Sequence, residues 1–147
     1  VLIDADGEAL SLGIIAKPDL IKPNKNEADR LLGRPVSDPI EDATILRQMS
    51  GGQFAILSLG KEGAVLATDN GTSFGKSPPI EAVSTIGSGD SMLGAFLARL
   101  EAGDPPPLAF QWGLAAGAAT ATTDGKQIAH SSVIELLFDR ATVRQVG

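Results

Sequence analysis

The residues best suited to chemistry lie in STIGSGDSMLGAFLARL, residues 84–100. Gly87 and Gly89 flank Ser88, Asp90 follows, and Leu93, Phe96, Leu97 and Leu100 then fall on one helical face. A helix must therefore begin near residues 87–90. Its first amides lack partners within the helix and carry the positive end of its dipole. Glycines let that backbone approach a ligand with no Cβ in the way. Such a turn suits an oxyanion, phosphate above all. A carboxylate beside a phosphate repels it, so Asp90 makes sense if it takes a proton from a hydroxyl. The amides would then steady the charge developing on a phosphoryl group. The same residues also read as a plain loop with an N-capping acid, and the local pattern does not separate the two. Two rival glycine motifs fail: Met92 stands where a dinucleotide fingerprint needs its third glycine, and Asn70 stands where a Walker A loop ending at Gly75-Lys76-Ser77 needs its first.

Two further segments carry chemistry-bearing residues. KPNKNEADRLLG, residues 22–33, sets Lys22, Asn24 and Glu27 at a strand-to-helix junction. A capping box with a lysine nearby explains Asn24 and Glu27. In the alternative, Lys22 faces phosphate while Asn24 and Glu27 hold magnesium through water, as hard oxygen ligands can. SLGKEG, residues 58–63, follows an apolar strand at its carboxyl end, where open α/β sheets place ligands, although alone it reads as any tight turn. His130, the single histidine, has no carboxylate partner in the pattern and is assigned a surface or capping role. Asp4 and Asp6 are assigned to a solvated strand end.

The elements that must position these residues alternate. Short strands are expected at residues 1–4 and 20–22, with a helix over 7–16 between them that Lys17-Pro18 stops. Asn24 then caps a helix that closes at Gly33, and another helix covers 38–49 before the breaker Gly51-Gly52. FAILSLG is a strand buried on both faces, and GAVLAT–DNG–TSF is a hairpin. Helices follow over 88–101, 108–121 and 132–138, the second capped by Asp104, and ATVRQV forms a last strand. Phe110, Trp112 and Leu114 are expected in the core, with Gly113 and Gly117 allowing close packing. Strand–helix alternation with one hairpin gives an α/β fold with a mostly parallel sheet.

Bulk properties narrow the function. The chain has 147 residues, enough for one domain with a real core. A net charge of -6 with mixed signs argues against nucleic-acid partners, which need a basic footprint. The absence of cysteine excludes a disulfide scaffold, a thiolate metal site and a cysteine nucleophile. AFQWGLAAGAATA is too short to span a bilayer, and VLIDADGEAL has no basic region, so no membrane partner, no signal peptide and a cytoplasmic location are expected.

In this order, IKPNKNEADRLLG, SLGKEGAVL, STIGSGDSMLGAFLARL and WGLAAGAATATTDG resemble the ribokinase-like sugar kinases, most closely the phosphofructokinase-B branch. That branch includes 1-phosphofructokinases, tagatose-6-phosphate kinases and minor 6-phosphofructokinases. The resemblance implies a three-layer sandwich with a mostly parallel central sheet, and ATP and a small phosphosugar as ligands. Asp90 would be the general base, with the amides of Gly87, Ser88 and Gly89 as the anion hole. Asn24 and Glu27 would act through Mg²⁺, and Lys22 would touch the nucleotide phosphates. Ser58, Gly60 and Gly63 would contact the nucleotide, with Ala118 near the adenine. A K⁺ loop would draw oxygens from Ser84, Ile86, Thr120, Thr123, Gly125 and Gln127. Ser88 replaces the family's usual alanine and Ser84 its usual aspartate. Family members carry a further portion of similar size, with the first strands, the sugar-binding residues and a lid that makes a homodimer. The chain thus corresponds to the C-terminal, nucleotide-binding half of a kinase, expected to be inactive alone. Alternatives are a catalytically silent nucleotide-binding half, or a kinase of an unphosphorylated sugar or nucleoside.

Overall fold

The computed structural model describes residues 1–5 and 7–147, so the expectation for Asp6 lies outside the described residues. The chain forms two compact units, Val1–Phe74 with Gln145–Gly147, and Gly75–Arg144.

The first unit contains β1 (Leu2–Ile3), α1 (Gly7–Ile15), β2 (Leu20–Ile21), α2 (Lys25–Leu32), α3 (Pro39–Ser50), β3 (Phe54–Ser58) and β4 (Ala64–Thr68), and β5 (Gly71–Lys76) begins in it. The second contains α4 (Ser88–Glu101), α5 (Pro106–Ala121) and α6 (Ser131–Phe138), and most of β6 (Thr142–Gln145). The six strands lie in one mixed sheet in chain order. Leu2 and Ile3 pair parallel with Leu20 and Ile21, which pair parallel with Phe54 and Ala55. Between β3 and β4 the pairing is antiparallel, Ala55 facing Ala67 and Ser58 facing Ala64. This is the α/β architecture expected from the alternation of apolar runs and helical patterns.

Local chemistry sets the boundaries in the first unit. Asn24 and Glu27 complete a reciprocal capping box that starts α2, and Gly33 ends it at φ 68°. For α3, Asp38 accepts from the amides of Ile40 and Glu41, Pro39 fits the first turn, and Gly51 closes it at φ 68°. Ala55, Ile56 and Leu57 of β3 have no exposed surface, matching a strand buried on both faces. Ala55, Leu57 and Val65 pack with Ile21, Ala28, Ala43 and Leu46, where each large aliphatic side chain contributes about 1.5–3 kcal/mol by leaving water. The link between α2 and α3 is fastened by Asp42, which is 1% exposed. Its carboxylate accepts from Arg34 Nη2 at 2.5 Å and from the Ser37 and Asp38 amides. Burial alone would raise the Asp42 pKa, but the Arg34 hydrogen bond and the Ser37 amide outweigh it and hold the carboxyl below its usual range.

In the second unit α5 is buried almost all round, which its alanine-rich composition permits. Gly113 and Gly117 bring it against α4: a Cβ on Gly113 would stand 2.9 Å from the Met92 carbonyl oxygen, and one on Gly117 3.0 Å from that of Ser88. The buried face of α4 is Met92, Leu93 and Phe96. Leu97, expected on that face, is 41% exposed because the stripe toward α5 runs 88–92–96 and leaves position 97 beside it. Phe110 and Leu114 are core as expected, but Trp112 is only half-buried. Its ring stacks on Phe138 with centroids 4.1 Å apart and lies 5.1 Å from the Arg99 guanidinium. Asp104 does not cap α5. Pro105 holds the cap position, and Arg99 Nε takes the Asp104 carboxylate at 2.6 Å, a charge-assisted bond stronger than a cap. The helix starts two residues earlier than expected because Pro106 and Pro107 sit where no amide donor is required.

Candidate active site

In the second unit, chain geometry at the head of α4 follows from Gly87. It adopts φ 77°, ψ −4°, which a Cβ would strain, and closes a turn in which the Ser88 amide donates to the Thr85 carbonyl at 3.2 Å. The first intrahelical bond runs from the Ser91 amide to the Gly87 carbonyl at 2.9 Å. Among the described residues, the amides of Gly87, Gly89 and Asp90 have no protein partner, so they are the donors left for an anion at this helix end. The Ser88 amide, expected in the anion hole, is already engaged in the turn. The Ser88 hydroxyl, the departure from alanine, is buried with no partner.

Asp90 is exposed and lines a cleft of about 480 Å³ with Ile86, Gly87, Ser91, Thr120 and residues 125–128. Every lining residue belongs to the second unit. Apolar walls come from Ala95, Ala116, Ile128 and Ile134, and Lys126 brings a positive charge to the rim. Ser91, a serine inside a helix pattern, and Lys126, a lysine in a polar loop, carry no signal of their own in the sequence.

Of the six residues assigned to a monovalent cation, Ser84, Ile86 and Gly125 lie together, as do Thr120, Thr123 and Gln127. The Val83 and Ser84 amides both donate to the Ala121 carbonyl, tying the segment before the glycine turn to the end of α5. Ser84 Oγ accepts from the Ile86 amide at 3.2 Å, and Gly125 approaches both so closely that a Cβ on it would stand 2.7 Å from Ser84 Oγ. Gly125 has φ 82°, so glycine is required there twice over. Thr123 Oγ1 lies 2.8 Å from the Thr120 carbonyl and 3.0 Å from that of Gln127. These neutral hydroxyls and carbonyls suit a weakly charged ion such as K⁺, without the extra attraction an aspartate at position 84 would add. Ala118 packs with Ala115, Ala119 and Leu137 and is 6% exposed, and Ala116 lines the cleft.

The first unit gathers its candidates along one edge. Asp4 follows β1, Lys22 follows β2 and Ser58 ends β3, and these parallel strands share the edge at which they finish. Asn24 forms a parallel bridge with Ser58. Asp4 is exposed at its strand end as expected, and Lys22 Nζ lies 3.6 Å from its Oδ1, the Lys22 side chain being 13% exposed. The Asn24 amide donates to Glu27 Oε2 at 2.8 Å and the Glu27 amide to Asn24 Oδ1 at 2.9 Å. One carboxylate oxygen of Glu27 stays outside this box, which fits a magnesium ion held through water and not direct capture by both side chains. Among the described residues no cluster of three acidic or histidine side chains could hold a metal, so a divalent ion would also lean on phosphate oxygens. The 58–63 turn is a 3-10 turn, Gly60–Glu62, in which Gly60 takes φ 61° and Gly63 takes φ 119°, ψ −147°, a combination reserved for glycine. His130 precedes α6 as its cap by position, but its side chain makes no cap bond.

A model of the pfkB family of carbohydrate kinases matches residues 1–132. The chain belongs to the pfkB carbohydrate kinase family. It is 39% identical over 100 residues to 1-phosphofructokinase of Escherichia coli K12, covering 66% of this chain and 32% of that enzyme. To the ATP-dependent 6-phosphofructokinase isozyme 2 of the same organism it is 30% identical over 131 residues, covering 86% of this chain and 42% of that enzyme. Crystal structures of Escherichia coli phosphofructokinase-2 superpose with a TM-score of 0.86 for the complex with substrates and products and 0.85 for the complex with potassium. Each is 27% identical and covers 94% of this chain and 46% of the neighbour. The chain therefore spans less than half the length of the relatives it matches. No helix among the described residues is long and apolar enough to cross a membrane.

Proposed function

We propose that this pfkB-family chain is the C-terminal, nucleotide-binding half of a cytoplasmic kinase that transfers the terminal phosphoryl group of ATP to a hydroxyl of a fructose- or tagatose-type sugar phosphate. The observation that carries the proposal is Asp90 on the cleft, in the first turn of α4, beside amides that have no protein partner. A carboxylate there is out of place in a passive phosphate site and apt in a transferase. The relatives named 1-phosphofructokinase and 6-phosphofructokinase support the acceptor class.

In this mechanism the acceptor O–H bond breaks and its proton passes to an Asp90 carboxylate oxygen. The alkoxide oxygen bonds to the terminal phosphorus of ATP in line with the breaking bond to the bridging oxygen, which leaves with its electron pair on ADP. The Gly89 and Asp90 amides donate to the phosphoryl oxygens as their charge develops. Lys22 and the glycine turn at 58–63 hold nucleotide phosphates at the strand edge of the first unit. Magnesium, when bound, would screen the phosphate charge, with Asn24 and Glu27 facing it through water. A bound K⁺ would brace the loop of Ser84, Ile86, Thr120, Thr123, Gly125 and Gln127 behind the glycine turn.

The test is ATP turnover by the complete polypeptide with fructose 6-phosphate, fructose 1-phosphate, tagatose 6-phosphate, ribose and adenosine. A kcat/KM at least about tenfold higher for one phosphosugar than for ribose or adenosine supports the proposal, since a site built for a phosphate loses its charged contact with a neutral acceptor. Preference for ribose or adenosine contradicts the substrate class, and absence of any turnover contradicts the kinase.

A further inference from the structure

Asp90 can act only if the first turn of α4 is held in register with the loop that lies behind it, and one polar contact is placed to do this. Ser91, next to Asp90, lines the cleft and accepts a hydrogen bond from Thr120 Oγ1 at 2.7 Å. Thr120 is 2% exposed and stands at the end of the α5 stripe that begins with Gly113 and Gly117. The first two members of the stripe touch the backbone of α4 at Met92 and Ser88. That close approach is what lets two short hydroxyls meet. The Thr120 carbonyl accepts from the Thr123 amide at 3.0 Å and from Thr123 Oγ1 at 2.8 Å, and Thr123 Oγ1 lies 3.0 Å from the Gln127 carbonyl. Thr120 thus links the two, its carbonyl bonded to the 123–127 loop and its hydroxyl to the residue beside Asp90.

We propose that Ser91 and Thr120 are positioning residues, their hydroxyl–hydroxyl bond fixing the Asp90-bearing turn against the 120–127 loop. The proposal rests on the reading of Asp90 as the base. Thr120 keeps its carbonyl in any side-chain variant, so the hydroxyl can be removed without touching the loop oxygens. Thr120→Val is close to Thr120 in shape and leaves no orphaned polar atom on α5, while Ser91 remains on the cleft, where water can reach it. Thr120→Ser keeps the bond and loses a methyl.

The experiment compares Ser91→Ala, Thr120→Val, Thr120→Ser and the double variant Ser91→Ala/Thr120→Val in the complete polypeptide. The readouts are kcat, KM for ATP, and amide hydrogen exchange of Ser88 and Ser91, the bonded amides of the turn, without nucleotide. Loss of the bond should lower kcat about 5- to 20-fold with KM within about twofold, and speed exchange about five- to tenfold, as expected for one lost hydrogen bond that orients a reacting group. Thr120→Ser, which keeps the hydroxyl, should recover most of the loss seen in Thr120→Val on both readouts, and the double variant should be no worse than the worse single change, because both remove the same bond. Thr120→Val within about twofold on both readouts, Thr120→Ser as damaged as Thr120→Val, or multiplying single effects would each overturn the proposal. The exchange arm judges the hydroxyl pair without any turnover, so its failure is distinct from failure of the kinase reading, which Asp90→Asn tests.

Discussion

Gly113→Ala is the sharpest test of how α4 is held. The new Cβ would stand 2.9 Å from the Met92 carbonyl oxygen, 3.4 Å from Met92 Cγ and 3.5 Å from Phe96 Cβ. The nearest of these atoms is backbone, so relief requires the two helices to move apart by a few tenths of an ångström rather than a side chain to swing away. Overpacking of this kind costs about 1–3 kcal/mol. Alanine's better helix propensity returns about 1 kcal/mol. The net expectation is a loss of up to about 2 kcal/mol. Gly94→Ala is the matched control. Gly94 lies within α4, has no neighbour that its Cβ would meet, and is exposed, so only the propensity gain of about 1 kcal/mol applies. Urea unfolding followed by circular dichroism should place Gly94→Ala above the unaltered chain and Gly113→Ala below it, a gap of about 1–3 kcal/mol. If Gly113→Ala is as stable as Gly94→Ala, the close approach of α5 to α4 is wrong, and with it the geometry that brings Thr120 to Ser91.

Other outcomes follow from single features. Gly63 holds a conformation open only to glycine, so Gly63→Ala should cost about 1–3 kcal/mol, and Gly60→Ala, in the milder left-handed region, about 1 kcal/mol; calorimetric titration with magnesium-ATP should show both weakening the nucleotide. Asp42 has a folded pKa held below its unfolded value, so its contribution to stability is complete above the ordinary carboxylate range and is lost as pH falls through the folded pKa. A series of melting curves from pH 7 down to below about 4 should fall more steeply for the unaltered chain than for Asp42→Asn, which lacks that titration. At pH 7 Asp42→Asn should cost about 1–3 kcal/mol, because two amides and a guanidinium lose a charged acceptor. Equal stability at pH 7 would show that Arg34 finds water at no cost.

The boundaries of the elements could be read from side-chain chemistry wherever the signal was local. Asn24, Glu27 and Gly33 mark α2 because each satisfies a helix-end group within a few residues of itself. Asp38 and Gly51 do the same for α3. Local signals misled where a distant partner competed: Asp104 has the right type for a cap, yet Arg99, a turn back in α4, takes its carboxylate. Leu97 has the right type for a core, yet the line of contact with α5 passes it by. At the candidate site, Asp90 and Gly87 are legible because a carboxylate after a glycine turn is chemically odd. The engagement of the Ser88 amide is not legible, since it depends on how residues 85–88 turn. Ser91 is not legible either, because its role comes from Thr120, 29 residues away, across a helix contact that only the fold creates.

The Asp90 carboxylate is proposed to remove the proton of the acceptor hydroxyl. The direct measurement is single-turnover phosphoryl transfer by the complete polypeptide with its best acceptor, comparing Asp90 with Asp90→Asn at saturating ATP. With Asp90 as the base, Asp90→Asn should lose about a thousandfold or more in rate with ATP affinity largely kept, because the amide keeps the shape and loses the base. A rate within about tenfold of the unaltered enzyme would contradict it, since removal of a positioned base costs about a hundredfold or more.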